Sequence, residues 1–178
     1  MKRCLMLLSL LSVLTLNVFS QPLKPGDKAP EIEQVLVSGE DFQLSELRGT
    51  LVLVDFWAAW CKPCRKENPE LVKLYHKYKD ESFENAEGFT IVSVSMDFKR
   101  EMWENAIAKD ELAWPYHVGD MKGWKTEAAR MYNVKSIPTS FLIDGDGKII
   151  GTYLRGEAIE EAIKKARKRK SFFFSLKN

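Results

Sequence analysis

A chain of 178 residues is long enough to form one domain with a substantial buried core. Hydrophobic residues make up 45% of it and charged residues 29%, with ten Phe, five Trp and five Tyr, a composition that excludes a wholly disordered protein. The 27 basic and 25 acidic residues nearly balance, which argues against a general nucleic-acid-binding protein.

The first twenty residues, MKRCLMLLSLLSVLTLNVFS, have the pattern of a secretory signal peptide. Lys2 and Arg3 form a basic start, an apolar run covers residues 5–16, and small residues beyond it fit cleavage near Ser20. The run is shorter than the roughly 20 residues that span a bilayer, so cleavage is favoured over an uncleaved inner-membrane anchor. Cys4 lies before the run and not after it, which argues against a lipoprotein signal.

The segment after the signal predicts β-structure. Residues 21–30 contain three prolines and are expected to form an extended lead-in. The stretch EIEQVLVSGEDFQLSEL predicts a short β-hairpin that turns at residues 38–41. The continuous apolar run TLVLVDFWA, residues 50–58, predicts a central strand buried on both faces.

The rest of the chain alternates between helical and strand patterns. The expected elements, in chain order, are a helix over 62–79, a core strand over 89–96, helices over 99–109 and 125–134, a hairpin turning at 144–147, and an amphipathic helix over 157–170. Strand–helix–strand order predicts a parallel pair in the core. The fold class is therefore α/β, with a central mixed β-sheet flanked by helices on both faces.

Cys61 and Cys64 are the only cysteines left once the signal is removed, and they form the motif WCKPC. A zinc site normally needs four ligands, and the chain has no second CxxC and only two isolated histidines, His76 and His117. Covalent haem attachment needs a His directly after the second cysteine, where this chain has Arg65. A structural CxxC disulfide closes too small a loop to stabilise a fold much.

The remaining interpretation is a redox pair. Cys61 follows a predicted buried strand and begins a predicted helix, where free amides and the helix dipole lower the pKa of a thiol. Pro63 is tolerated because the first helical turn has no internal hydrogen bond to lose. We expect Cys61 to be exposed and to attack a disulfide, and Cys64, one turn further, to be shielded and to resolve the mixed disulfide.

The motif VDFWAAWCKPC resembles the active-site strand and turn of the thioredoxin superfamily, and SIPTSFLID resembles the loop that carries its cis-proline. Residues 25–168, including WPYHVGDMKGW, are similar to exported TlpA/ResA-type thiol-disulfide oxidoreductases of Bacteroidetes-type bacteria. The resemblance implies a thioredoxin-like fold with an N-terminal β-hairpin and an insertion before the cis-Pro loop. It places the domain at 31–170, leaves a tail at 171–178, and implies a periplasmic location.

Three further site residues follow from the resemblance. Pro138 corresponds to the cis-proline, whose preceding backbone faces the disulfide. Asp55 lies within an apolar strand, where burial should raise its pKa, and it corresponds to a carboxylate that moves protons for the buried cysteine. Glu67 falls one helical turn after Cys64 and corresponds to a glutamate that tunes the ionisation of the pair. The alternatives are an Asp that reaches solvent and a solvated helix Glu.

Substrate contact is expected from Trp60, Lys62, Pro63 and Ile137. The two histidines and the other tryptophans are expected to be structural: Trp57, Trp103, Trp114 and Trp124. The basic tail KKARKRKSFFFSLKN is expected to be a solvated helix end, with weak contact to an anionic membrane as the alternative.

The resemblance implies a disulfide reductase that acts on envelope proteins and is supplied with electrons by a membrane donor. The dipeptide Lys62–Pro63 and Ile137 are closer to reducing members than to oxidants, and an oxidase of the same fold is the first alternative. A peroxidase would need Pro and Thr at Val54 and Ala58, and a non-enzymatic docking module would not need both cysteines. We expect a monomer with no cofactor and no metal.

Overall fold

The computed structural model describes residues 22–167 and places seven strands in two sheets. The strands are β1 (Glu33–Val35), β2 (Asp41–Gln43), β3 (Leu51–Trp57), β4 (Phe89–Ser95), β5 (Tyr116–Val118), β6 (Thr139–Ile143) and β7 (Ile149–Leu154). The helices are α1 (Lys62–Tyr78), α2 (Arg100–Lys109), α3 (Glu127–Met131) and α4 (Glu157–Ala166), with 3₁₀ turns at Leu44–Leu47 and Gly123–Lys125.

The central sheet has the strand order β5-β4-β3-β6-β7. Strand β4 pairs in parallel with both β3 and β5, whereas β6 pairs antiparallel with both β3 and β7. Every residue of β3 and β4 is buried, which explains why apolar side chains occur on both faces of each strand. The predicted mixed sheet, its parallel core pair and its antiparallel edge hairpin are confirmed.

The N-terminal hairpin is also confirmed, with β1 and β2 pairing antiparallel in a sheet of their own. It is attached to the edge of the central sheet, where Leu36 forms a bridge with Val118 and the Val37 amide donates to the His117 carbonyl at 2.8 Å. The hairpin therefore covers part of the free edge of β5.

Two elements differ from the sequence prediction. Strand β5 was not predicted, because three residues are too few to give a recognisable period. The helix expected over 125–134 is shorter, because Thr126 is extended (φ −60°, ψ 137°) and separates the 3₁₀ turn from α3. Local backbone geometry at one residue thus divides what the periodicity predicted as one helix.

The expected signal peptide, 1–20, and tail, 171–178, lie outside the described residues, as does the end of the helix expected over 157–170. Within residues 22–167, none of the helices combines the length and the apolar character needed to cross a membrane.

Gly145 holds the β6–β7 turn against a neighbouring loop. A Cβ at this position would lie 1.9 Å from the Asn85 carbonyl oxygen, so Gly145→Ala forces the two backbones apart. We expect a loss of about 1–3 kcal/mol in the free energy of unfolding, measured by chemical denaturation. Asp146→Ala, which removes only the exposed hydrogen bond to Asn85 in the same turn, should cost less than about 0.5 kcal/mol. Equal losses in both variants would contradict the steric explanation.

Candidate active site

Cys61 and Cys64 lie where the central strand β3 passes into α1. Cys61 is the N-cap of α1, with an extended backbone (φ −82°, ψ 96°), and Pro63 occupies the first turn. The two sulfurs are joined in a disulfide of 2.01 Å, with the Cα atoms 5.3 Å apart. The predicted strand–helix junction and the predicted pairing of these cysteines are both present.

The prediction that Cys61 is exposed is wrong for this disulfide form. Cys61 is 4% exposed and Cys64 1%. The reason lies in the helix start, because the Cys61 sulfur turns towards the first turn and accepts a hydrogen bond from the Cys64 amide at 3.2 Å. That bond places the sulfur at the free amides of the helix N-terminus, where a thiolate would be stabilised.

The Ile137–Pro138 peptide bond is cis, as predicted. Pro138 is buried and directly precedes β6, whose Thr139 pairs with Phe56 near the end of β3. Ile137 is half-buried. The pairing of β6 with β3 therefore places the proline loop beside the strand end from which the cysteine loop departs.

Asp55 is buried in the middle of β3, opposite Ser140 of β6. The Ser140 hydroxyl donates to Asp55 Oδ1 at 2.9 Å. Burial raises the pKa of Asp55 from 3.8 to about 7, the Ser140 hydrogen bond opposes that rise, and the charge of Glu67 adds to it. At neutral pH this carboxyl can therefore either release or accept a proton.

Glu67 lies on α1 one turn after Cys64, and its carboxylate accepts a hydrogen bond from the Gly156 amide at the start of α4. A carboxylate at a helix N-terminus is stabilised by the free amides there. Because Glu67 also acts electrostatically on Asp55, the helix and the central strand place two carboxyl groups near the cysteine pair.

The residues expected to contact substrate lie at the surface around the disulfide. Trp60 is 43% exposed and is held by a hydrogen bond from its indole Nε1 to the Met96 carbonyl at 3.3 Å. Lys62 and Pro63 are exposed. Beside them an apolar groove of about 460 Å³ runs between α1 and α4, lined by residues that include Pro63, Glu67, Leu71, Arg155, Gly156 and Ile159.

The residues expected to be structural divide into two groups. Trp57, Trp103 and Trp114 are fully buried, whereas Trp124 is exposed. His117 is buried and stacks on Trp114, and burial lowers the pKa of His117 to about 4, so it is neutral at physiological pH. His76 is exposed on α1.

Sequence reasoning missed an ion pair that anchors the start of α1. Arg65 forms an ion pair with Asp110 at the end of α2, and the buried Asn68 side chain donates to the same carboxylate at 2.7 Å. This network holds the pKa of Asp110 below its usual value, through the hydrogen bonds from Arg65 and Asn68 and despite partial burial. The helical period could have located Asn68, because it falls on the buried stripe with Cys64 and Leu71.

Asp97 was also missed. It follows β4 directly after Met96, is buried, and accepts a hydrogen bond from the Ala59 amide in the loop before Cys61. An acidic residue just beyond a buried core strand was the available signal, because the carboxyl ends of parallel strands lie at the same sheet edge.

The family model described as "Thioredoxin-like" matches residues 49–149. The chain belongs to the thioredoxin-like family. It is 33% identical over 143 residues to the thiol-disulfide oxidoreductase ResA of Bacillus cereus, covering 80% of this chain and 76% of that protein. The thioredoxin-like protein YneN of Bacillus subtilis is 35% identical over 140 residues, covering 76% of each chain.

Solved structures of this family agree with the fold. A thiol:disulfide interchange protein from Bacteroides sp. is 34% identical with a TM-score of 0.73, covering 85% of this chain and 96% of that one. The thioredoxin domain of a thiol-disulfide oxidoreductase from Bacteroides vulgatus is 36% identical with a TM-score of 0.71, covering 80% and 97%. With its CxxC pair, this family member is a thiol-disulfide oxidoreductase, and its family implies protein substrates.

Asp55 should make the stability of this thioredoxin-like domain depend on pH. Its pKa is higher in the folded than in the unfolded chain, so the folded protein binds the extra proton and stability falls as pH rises from about 4 to about 7. That difference corresponds to roughly 4 kcal/mol. Asp55→Asn, which stays neutral, should be more stable than the wild-type oxidised protein at pH 8 and lose this advantage at pH 4, as measured by urea denaturation.

Ser140→Ala provides the matched control. It removes the hydrogen bond that lowers the pKa of Asp55, so its stability should continue to fall to a higher pH than that of the wild type. A wild-type protein whose stability is flat between pH 4 and pH 8 would show that Asp55 is not the group described.

Proposed function

We propose that this thiol-disulfide oxidoreductase reduces disulfides of exported proteins, with Cys61 as the nucleophile and Cys64 as the resolving cysteine. The observation that carries the proposal is the position of the pair. The Cys61 sulfur lies at the N-terminus of α1, while Cys64 lies one turn inside the helix and is bonded to it. A thiol at a helix N-terminus has the lower pKa of the two and is the better attacking group at neutral pH.

The proposed reaction has two exchange steps. The Cys61 thiolate attacks one sulfur of a substrate disulfide, forms a mixed disulfide and releases the other substrate sulfur as a thiolate. The Cys64 thiolate then attacks the Cys61 sulfur and releases the second substrate sulfur. The substrate gains two electrons, and the enzyme is left with the Cys61–Cys64 disulfide. A donor dithiol must then reduce that disulfide.

Asp55 is proposed to take the proton that Cys64 loses before the second step. A group with a pKa of about 7 is well matched to proton transfer at neutral pH. Glu67 is proposed to tune this transfer, because its charge raises the pKa of Asp55.

The same carboxyls support the reducing direction. Strong oxidants of this chemistry owe their potential to a stabilised reduced form. Negative charge on Glu67 and Asp55 opposes a thiolate at Cys64, which destabilises the reduced pair relative to the disulfide. An oxidase of the same fold is the second candidate, supported by the stabilising position of Cys61 at the helix N-terminus.

Protein substrates are proposed to bind across the surface around the disulfide. Trp60 offers an exposed aromatic face and Lys62 and Pro63 lie between the cysteines, while the backbone of Ile137, before the cis-proline, is proposed to pair with the substrate. The apolar groove that begins at Pro63 extends this surface along α1. The groove is suited to an apolar side chain next to the substrate cysteine.

The cellular setting is proposed from the sequence. Residues 1–20 are proposed to be a signal peptide cleaved near Ser20, which would deliver the protein to the periplasm. The domain is proposed to cover residues 31–170 after a lead-in at 21–30, followed by a solvated tail at 171–178, with weak contact to anionic membranes as the alternative. We further propose a monomer that receives electrons from a membrane donor.

Cys64→Ser should accumulate mixed disulfides between Cys61 and its substrates, because the resolving thiol is missing. Cys61→Ser is the matched control and should trap none. The complexes would be collected under non-reducing conditions from cells that express the full chain, and their partners identified by mass spectrometry. Exported proteins among the partners would support the proposed location. A Cys64→Ser variant that traps nothing would contradict the enzymatic proposal and favour a docking module.

The reduction potential of the Cys61–Cys64 pair tests the direction. We expect a reduction potential of about −270 mV, typical of a reductant, when the protein is equilibrated with a dithiol buffer. A value nearer about −120 mV would make the protein an oxidase. Glu67→Gln should raise the potential, because it removes a negative charge that opposes the reduced form, and a lower potential in that variant would contradict the electrostatic argument.

A further inference from the structure

Asp97 contacts the active-site loop although it lies far from the cysteines in sequence. It is 1% exposed and follows β4 by two residues. Its Oδ1 and Oδ2 lie 3.1 Å and 2.9 Å from the Ala59 amide nitrogen. Ala59 belongs to the three-residue loop, 58–60, that joins β3 to Cys61. A side chain just beyond the end of one core strand thus holds the loop that leaves the other.

The Asp97 carboxylate is itself fixed in place. The Ser95 hydroxyl donates to its Oδ2 at 2.9 Å, and the Asp97 amide donates to the Ser95 hydroxyl oxygen at 3.0 Å. None of the ion pairs within residues 22–167 includes Asp97, and the nearby cation, Arg65, pairs with Asp110. Burial raises the pKa of Asp97, while its hydrogen bonds from Ala59 and Ser95 oppose that rise. A buried carboxylate without an ion pair is costly, and the hydrogen bonds from Ala59 and Ser95 help to offset that cost.

Three further hydrogen bonds hold the same loop. The Cys61 amide donates to the Ala58 carbonyl at 3.1 Å. The Trp60 indole donates to the Met96 carbonyl at 3.3 Å, and Arg65 donates to the Ala59 carbonyl at 3.4 Å. Among the bonds from segment 95–97 to the loop, only the Asp97 bond involves a charged group, and such bonds are the stronger kind.

We propose that Asp97 is a positioning residue for thiol–disulfide exchange: through the Ala59 amide it fixes loop 58–60 and so keeps the Cys61 sulfur at the N-terminus of α1. The inference rests on the proposed role of Cys61 as the nucleophile. Ala59 is two residues from Cys61, so movement of its backbone is transmitted directly to the reacting sulfur. A displacement of about 1 Å at a reacting group can cost as much as a hundredfold in rate.

Two substitutions separate the effect of the hydrogen bond to the Ala59 amide from the effect of the negative charge on Asp97. Asp97→Asn and Asp97→Ala both remove the negative charge, but only Asn keeps an oxygen that can accept from the Ala59 amide. The reduced full-length protein would be treated with iodoacetamide across a pH range, and alkylation of the Cys61 peptide would be followed by mass spectrometry. We expect Asp97→Ala to react about tenfold more slowly than Asp97→Asn at neutral pH, with its pH profile moved to higher pH, because Cys61 no longer sits at the helix N-terminus.

The control for general destabilisation is Tyr132→Phe. It keeps the buried ring and removes only the hydrogen bond from the Tyr132 hydroxyl to the Pro30 carbonyl, a bond that involves neither Asp97 nor loop 58–60. Its Cys61 alkylation rate and pH profile should match those of the wild type. Equal Cys61 alkylation rates in Asp97→Asn and Asp97→Ala would overturn the inference. So would a fall in the alkylation rate of Tyr132→Phe as large as that of Asp97→Ala.

Ser95→Ala keeps the inference testable if Asp97→Ala does not fold. It removes the hydroxyl that orients the Asp97 carboxylate, so it should slow alkylation in the same direction by a smaller factor, and an unchanged rate would overturn the inference. Alkylation needs no substrate protein, so this outcome is distinct from failure of the proposed function, which would appear as a Cys64→Ser protein that traps no mixed disulfide.

Discussion

The parallel pairing of β3 and β4 is the constraint on which the rest of the site depends. Both strands are buried along their whole length and run in register from Leu51 opposite Phe89 to Trp57 opposite Ser95. Because the strands are parallel, their carboxyl ends meet at one edge of the sheet. The cysteine loop leaves one strand there and the Asp97 segment leaves the other, so the sheet brings the reacting loop and its support together.

The two cysteines have different electrostatic surroundings. Cys61 faces the free amides at the start of α1, which favour a thiolate. Cys64 is buried one helical turn before Glu67, whose negative charge raises the pKa of Asp55. These surroundings fit the proposed roles, with Cys61 as the attacking group and Cys64 as the resolving group that gives up its proton, as two-step exchange requires.

Much of this arrangement could be predicted from the chain. The apolar runs of β3 and β4 gave the central pair, the turn at residues 144–147 gave the β6–β7 hairpin, and WCKPC gave the chemistry. Strand β5 could not be predicted, because a three-residue strand is formed by its pairing with β4 and not by its own pattern. The burial of Cys61 could not be predicted either, because it depends on how the side chain turns at the helix start.

The sequence by itself determined the strand–helix junction, the spacing of the cysteines and the burial of Asp55, since each depends on neighbouring residues. Tertiary structure alone determined which groups form hydrogen bonds with the three carboxylates of the site. Ser140 reaches Asp55 across 85 residues, Gly156 reaches Glu67 across 89, and Ala59 reaches Asp97 across 38. Local preferences do not fix contacts at such separations, because these depend on which strands pair and in which register. The pairing of the buried strands therefore determines which groups contact Asp55 and which side chain holds the loop before Cys61.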